Sequence, residues 1–167
     1  MTTAPHRLDP DLDLVVEREV RASARTLWAA WTDPEQLRQW YAPPPTVVEA
    51  CDIDPRPGGR FGFVLRTDDG ESHPYDFCYL VVEPLERLVW TDAVHPGFRP
   101  TVAPWLTVSM TLEPIDDVTL CRTVAMHRDR ASRDDHERQG FHDGWGTVLG
   151  QLATFAMTRS TEGPHHA

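Results

Sequence analysis

The feature that most constrains this chain is a change of hydrophobic period in its last third. After residue 132 the apolar residues recur at spacings of three and four, which is the period of one helix face. They are Phe141, Trp145, Val148, Leu149, Leu152, Phe155 and Ala156. The pattern predicts one long amphipathic helix at the C-terminal end, with its apolar stripe packed against the rest of the fold.

The residues before this helix follow a period of two, which is typical of β-strands. Residues 12–22 alternate apolar and polar side chains, and Arg18 stands on the apolar side of the alternation. Six further strand-like runs lie between breaks rich in proline, glycine and aspartate: residues 47–53, 60–66, 75–82, 87–91, 106–112 and 118–126. Short strands at such spacing predict an antiparallel meander.

Two short helices are predicted between the first and second strands. Ser23 is suited to cap the first of them, because a serine hydroxyl can accept a hydrogen bond from the opening turn. Asp33 followed by Pro34 is suited to start the second, which is expected to end near Trp40. The three consecutive prolines at 43–45 then prevent the helix from continuing.

These elements predict an α+β fold in which a curved seven-stranded antiparallel sheet wraps around the long C-terminal helix. Residues 11–159 are expected to form one domain, between a flexible N-terminus at 1–10 and a flexible tail at 160–167. A sheet that curves around one helix leaves a gap where the two diverge, and gaps of that kind are common ligand sites.

The charge balance argues against several classes of partner. Twenty-six acidic side chains against sixteen basic ones give a formal net charge of -10, which repels nucleic acid and anionic lipid. All sixteen basic residues are arginine, so Schiff-base chemistry on a lysine is excluded.

No apolar run is long enough to span a membrane, and the first ten residues do not resemble a signal peptide. A cytoplasmic protein is predicted, with neither nucleic acid nor membrane as a partner.

Four motifs, in this order, resemble a known superfamily. They are residues 24–35 (ARTLWAAWTDPE) with Trp40, residues 54–61 (DPRPGGRF), residues 86–91 (ERLVWT) and residues 140–146 (GFHDGWG). They are similar to the START-like (SRPBCC) helix-grip superfamily, in the branch that resembles the C-terminal domain of the activator of Hsp90 ATPase. The resemblance covers about residues 12–158 and implies the helix-grip fold. It implies less about function, because lipid carriers, cyclases and chaperone-linked domains share this scaffold.

The candidate binding residues are those expected to line the gap between the sheet and the last helix. They are Arg18, Trp31, Phe61, Phe63, Tyr79, Trp90, Phe98, Met110, His127, Phe141, Gly144 and Trp145. Arg18 is included because a buried guanidinium needs an acid, a carbonyl oxygen or an anionic ligand group as its partner. Gly144 is included because a glycine beside the helix stripe makes room for a ligand, or for close packing on a strand.

The last predicted strand allows two orientations. Local hydrophobicity favours turning the Leu120 side inward, which would place Arg122 in the interior. The resemblance favours the other orientation, because relatives tend to have an inward threonine at the position that Thr119 matches. His127 would then face inward, and this orientation is preferred. The strand at 75–82 is apolar on both sides, so its inward face stays open.

Neither a metal site nor a cofactor is expected. His136 and His142 both fall on the predicted last helix, on different faces, and are interpreted as solvated side chains. Three cysteines without a C-x-x-C pair are predicted to be free thiols. No nucleotide-binding or hydrolase motif occurs, so the sequence leaves open whether the chain is an enzyme.

The connection at residues 93–104 is longer than a usual hairpin loop. Its prolines stiffen it, Gly97 offers a hinge, and Phe98 provides an apolar tip. These properties suit a lid over an apolar pocket. A surface connector without function is the alternative.

The sequence favours a protein that binds a small apolar or aromatic molecule between the sheet and the last helix. A cyclase or hydrolase that uses His127, Arg18 or Arg122 in the same pocket is one alternative. Interaction with Hsp90, by family analogy alone, is another. A homodimer is also compatible with the sequence.

Overall fold

The computed structural model describes residues 6–161, and their elements follow the predicted order. The strands are β1 (Asp13–Val20), β2 (Val47–Ile53), β3 (Arg60–Arg66), β4 (Ser72–Glu83), β5 (Arg87–Thr91), β6 (Val94–His95), β7 (Arg99–Pro100), β8 (Leu106–Ile115) and β9 (Val118–His127). The helices are α1 (Ala24–Thr32), α2 (Pro34–Leu37), α3 (Arg130–Arg138) and α4 (Phe141–Thr161).

Seven of the strands form one antiparallel sheet in the order β1-β9-β8-β5-β4-β3-β2. Bulges in β2, between Val48 and Ala50, and in β4, between Tyr79 and Val81, interrupt the register. Such bulges bend strands and increase their twist. The α+β fold with a curved seven-stranded sheet around a C-terminal helix is thereby confirmed.

The caps explain why the first two helices begin where the sequence predicts. The Ser23 hydroxyl accepts a hydrogen bond from the backbone N–H of Thr26 at 3.1 Å. The Asp33 carboxylate accepts one from the N–H of Glu35 at 3.0 Å, and Pro34 occupies the first turn of α2. Helix α2 ends at Leu37, three residues before the expected end at Trp40. The turn that follows carries Trp40, whose indole N–H donates to the Ala30 carbonyl.

The segment after residue 132 differs from the prediction because it holds two helices. Gly140, with φ +96°, separates α3 from α4. A non-glycine residue adopts that conformation only with strain, so the chain turns there. The apolar stripe lies on α4, where Leu149, Leu152 and Ala156 are almost wholly buried. His136 lies on α3 and follows a different axis, so the angular argument that placed it in solvent does not apply.

The orientation of β9 is settled by burial. Thr119, Cys121, Thr123, Ala125 and His127 are all buried on the face toward the helices. Arg122, on the other face, forms an ion pair with Glu17 at 2.8 Å. The preferred orientation, with His127 inward, is therefore the observed one.

The ends of the chain lie partly outside the described residues, which leave out 1–5 and 162–167. Within the expected N-terminal segment, the His6 ring bonds to the Asp13 carboxylate at 2.7 Å, and the N–H of Asp9 donates to the same group. At the other end, α4 continues through residues 160 and 161. Within 6–161, no helix is both long and apolar enough to cross a bilayer.

Candidate functional site

A cavity of about 380 Å³ lies between the concave face of the sheet and the start of α4. Its sheet wall is formed by apolar side chains, most of them aromatic: Phe63, Leu65, Tyr75, Phe77, Trp90, Val108 and Ala125. Its helix wall consists of Phe141, Gly144, Trp145 and Val148. The volume lies within the range of small-molecule sites, roughly 300–1,000 Å³.

The remaining lining residues come from the segments around the cavity. Tyr41 and Pro43 lie in the α2–β2 loop, Trp105 and Leu106 at the start of β8, His136 near the end of α3, and Gln139 and Gly140 in the connection from α3 to α4. Gln151 of α4 holds the first loop in place, because its side-chain N–H₂ donates to the carbonyls of Trp40 and Ala42 at 2.9 and 2.8 Å. Burial raises the pKa of the Tyr41 hydroxyl far above its ordinary value, so Tyr41 stays neutral.

The aromatic side chains around the cavity contact one another. Tyr41 lies edge-on to Phe63 with ring centroids 5.0 Å apart, and Phe63 stacks on Tyr75 at the same separation. Trp145 stacks on the buried Trp31 at 6.3 Å. Stacked and edge-on pairs of this kind are favourable beyond the area they bury. The wall is therefore a packed aromatic surface held in place from behind.

A pair of histidines forms the polar end of the cavity. Nδ1 of His127 lies 2.9 Å from the backbone oxygen of Leu12, and its Nε2 lies 2.8 Å from Nδ1 of His136. His127 is buried behind His136, and only His136 lines the cavity. Burial, and then the neighbouring His127, lower the pKa of His136 from 6.5 to about 4. His136 is thus a neutral imidazole at neutral pH.

The structure brings five of the twelve candidate residues to the cavity wall. They are Phe63, Trp90, Phe141, Gly144 and Trp145. Trp31, Phe61, Tyr79 and Met110 are fully buried in the core behind the wall, and His127 reaches the cavity only through His136. A ligand in this cavity would contact the first group directly and the second through packing.

Arg18 differs from its expected environment. It lies on the inward side of β1, but β1 is an edge strand and the side chain is exposed. It runs past α4, so that a Cβ built at Gly150 would be 3.7 Å from its Nη1 atom. The prediction that Arg18 is buried is wrong, because period-two alternation cannot show which strand lies at an edge.

Phe98 also lies away from the cavity. The connection at 93–104 forms the small β6–β7 hairpin, and Phe98 at its tip is 51% exposed. The ring contacts Gly58 in the β2–β3 turn, and the N–H of Gly97 donates to the Gly58 carbonyl at 2.9 Å. The expectation that Phe98 covers the pocket is corrected accordingly. Trp105, the residue that follows this connection, does line the cavity.

Several lining residues were absent from the candidate set. Tyr75 and Phe77 were missed although Tyr79, on the same side of the alternation, was a candidate, and Tyr41 was missed because a loop residue has no periodicity. His136 was missed because the helix break at Gly140 was not recognised, although a glycine that follows a charged helical run is a usual helix end.

The cysteines and acidic groups give no sign of metal or thiol chemistry. Cys51, Cys78 and Cys121 are free thiols. Burial raises the pKa of Cys51 to about 11 and that of Cys121 to about 12, so neither is a reactive thiolate. Among residues 6–161, no three His, Cys, Asp or Glu side chains lie close enough to hold a metal ion.

The sheet, the gripped helix and the apolar cavity between them define a protein with the START-like helix-grip fold. The family within that class follows from the sequence match. The chain belongs to the family described as Activator of Hsp90 ATPase homolog 1-like protein, whose family model matches residues 21–156.

Solved structures of bacterial proteins agree with this assignment. A protein from Nitrosomonas europaea is 35% identical with a TM-score of 0.89, and the match covers 92% of this chain and 99% of that one. An AHSA1-like protein from Aeromonas hydrophila is 18% identical with a TM-score of 0.70, covering 93% and 99%. A protein from Arthrobacter aurescens shares the fold at 20% identity, with a TM-score of 0.75 and 99% coverage of both chains. A comparison with curated proteins gave no match.

Proposed function

We propose that this protein binds a small apolar or aromatic molecule in the cavity between the sheet and α4. The observation that carries the proposal is the volume of about 380 Å³ lined mainly by apolar side chains. Apolar surface of this extent is stabilised when a ligand replaces water, and the aromatic rings are already held in place by their neighbours. We also propose that the protein is cytoplasmic.

Gly144 is the position at which a substitution tests the cavity most directly. It lies on the cavity wall, and a Cβ built there would meet no heavy atom within 4 Å. A larger side chain at this position therefore has room only in the open space that a ligand would occupy. Gly146, two residues further on α4, also has no atom within 4 Å of its built Cβ but does not line the cavity. The two glycines form a matched pair.

The proposal is tested with phenylnaphthylamine, an uncharged dye that fluoresces in apolar surroundings. The wild-type protein is expected to bind one dye molecule per chain. Gly144→Leu should weaken the binding at least about tenfold, which is about 1.4 kcal/mol, whereas Gly146→Leu should leave it unchanged. Thermal melts of all three proteins establish that they are folded.

Two results would contradict the proposal. The absence of saturable dye binding to the wild-type protein would show that the cavity does not take ligands of this class. Equal dye binding by the three proteins would show that the dye binds elsewhere on the surface. Native mass spectrometry of protein purified without denaturation provides a second test, because a bound compound adds a discrete mass.

The family description provides a second candidate function, interaction with Hsp90. Its test is the ATPase rate of bacterial Hsp90 with increasing amounts of this protein. A saturable change in rate would support a chaperone role, and an unchanged rate would remove it. A cyclase or hydrolase role is less well supported, because two of its three candidate catalytic side chains lie away from the cavity. Arg18 is exposed beside α4, and Arg122 is paired with Glu17.

A further inference from the structure

Among residues 6–161, His136 is the one ionisable side chain besides the tyrosines that lines the cavity. Its ring lies between two aromatic rings of the same wall, with centroids 4.5 Å from Trp105 and 5.1 Å from Phe141. The Trp105 ring is tilted by 49° to the imidazole and the Phe141 ring is nearly perpendicular to it at 76°, so the imidazole is packed among aromatic rings of the wall.

The hydrogen bonds along the histidine pair have a fixed direction when both rings are neutral. The Leu12 carbonyl oxygen can only accept, so Nδ1 of His127 carries the proton. Nε2 of a neutral His127 is then a bare acceptor, and Nδ1 of His136 must donate to it. A neutral imidazole carries one N–H, so Nε2 of His136 is left as a lone pair.

This Nε2 atom has no hydrogen-bond partner among the described residues, whereas Nδ1 of the same ring has one. It is also not one of the fully buried side-chain atoms that lack a hydrogen-bond partner. The His136 ring thus contributes a hydrogen-bond acceptor to a mainly apolar wall, which also carries the polar groups of Tyr41, Tyr75 and Gln139. Which nitrogen of His136 carries the proton is set by the hydrogen bonds that run through His127 to the Leu12 carbonyl.

We propose that the cavity selects uncharged aromatic compounds that carry a hydroxyl group, and that this hydroxyl donates a hydrogen bond to Nε2 of His136. The inference rests on the proposed binding function and names the ligand class for the same site. The aromatic rings of the wall take the apolar body of the ligand, and His136 fixes the position of its hydroxyl.

The surroundings favour a hydroxyl over a carboxylate. In the part of the chain that the structure describes, no arginine lines the cavity, so a buried carboxylate would have only His136 as a possible cation. The low pKa of His136 opposes that role. A neutral donor satisfies the lone pair without placing a charge in the wall.

The test compares three naphthalenes with the same ring position substituted: naphthol, its methyl ether and naphthoate. Binding is measured by quenching of tryptophan fluorescence at about pH 7.5, where phenols and unperturbed imidazoles are mainly uncharged. Naphthol is expected to bind about three- to tenfold tighter than the ether, the value of one net hydrogen bond, and naphthoate weakest of all.

The variants assign this preference to one ring. His136→Phe keeps an aromatic ring but removes the acceptor, so naphthol and the ether should bind it equally. His142→Phe is the matched control, because His142 bonds to Glu137 and does not line the cavity, and it should keep the preference for naphthol. The comparison of the three compounds on the wild-type protein stands even if His136→Phe does not fold.

The outcomes separate this inference from the proposed function. Equal binding of naphthol and ether to the wild-type protein, or tightest binding of naphthoate, would overturn the hydroxyl selection and leave the apolar binding site intact. If phenylnaphthylamine binds but none of the three compounds does, the selection also fails alone. If the dye fails as well, the binding function itself fails.

Discussion

The ring of Phe98 lies over Gly58, so close that a Cβ on Gly58 would be 2.7 Å from Cε2 of that ring. The contact joins the β6–β7 hairpin to the turn between β2 and β3. A backbone hydrogen bond from Gly97 to Gly58 reinforces it at 2.9 Å. The hairpin is thus attached to the sheet at its tip, which is a different arrangement from a lid that swings over the cavity.

Phe98→Ala is expected to lower the free energy of unfolding by about 1 kcal/mol, because a half-exposed ring loses its packing on the turn. Dye affinity should not change, since Phe98 does not line the cavity. Urea unfolding and dye titration measure the two quantities. Val102→Ala in the same connection is the control, because Val102 is fully exposed. Weaker dye binding at unchanged stability would instead restore the lid interpretation.

Gly58→Ala is expected to lower the free energy of unfolding by about 2 to 3 kcal/mol. The residue has φ +81°, and the added Cβ would also push against the Phe98 ring. Gly97→Ala measures the cost of backbone strain alone, because Gly97 has φ +86° and no atom lies within 4 Å of a Cβ built there. We expect about 1 kcal/mol for that variant. Equal losses in urea unfolding would mean that the ring moves aside without cost.

The pH dependence of stability should carry a contribution from His136. Its pKa falls from 6.5 to about 4 on folding, so between those values the unfolded chain binds the extra proton. The contribution is complete above about pH 6.5 and is lost as the pH falls toward 4. We expect a loss of about 1 to 2 kcal/mol after allowing for partial exposure of the ring.

Urea unfolding at several pH values measures this contribution, and His136→Phe should flatten the slope between the two pKa values. The groups that face the ring are His127 from β9, Trp105 from the start of β8 and Phe141 from α4. An unchanged slope in the variant would show that His136 binds its proton equally in both states.

Gly150→Ala should stabilise the protein by about 1 kcal/mol, since alanine is a better helix former than glycine. The added Cβ would lie 3.7 Å from the end of the flexible Arg18 side chain, an ordinary contact distance. A raised melting temperature is the expected result. A lowered one would show that α4 packs against β1 more tightly at this point than the distance indicates.

Much of the fold could be predicted because alternation and turn residues act locally. Strands β2, β3 and β5 have the predicted bounds, since each is limited by residues that stop a strand whatever surrounds them. The caps at Ser23 and Asp33 are equally local, because each side chain bonds to the backbone two or three residues ahead.

The site was less predictable because its residues depend on neighbours distant in sequence. Arg18 lies at an edge of the sheet because β1 is the outermost strand and pairs with β9 alone. His136 faces the cavity only because Gly140 turns the chain between two helices. Phe98 was assigned to the cavity from its composition, whereas its contact partner is a turn forty residues earlier. None of these relations leaves a periodic signal.

The position of β1 in the sheet also determines how the chain can fold as it is synthesised. β1 is the first strand made, and its one neighbour is β9, which begins about a hundred residues later. At roughly 5–20 residues per second, the ribosome needs about 5–20 s to supply that partner. Throughout this time the apolar side of β1 has no strand beside it, and the helix that completes the cavity has yet to emerge. The cavity is therefore among the last parts of the molecule to form, and a chain truncated before β9 would leave β1 unpaired.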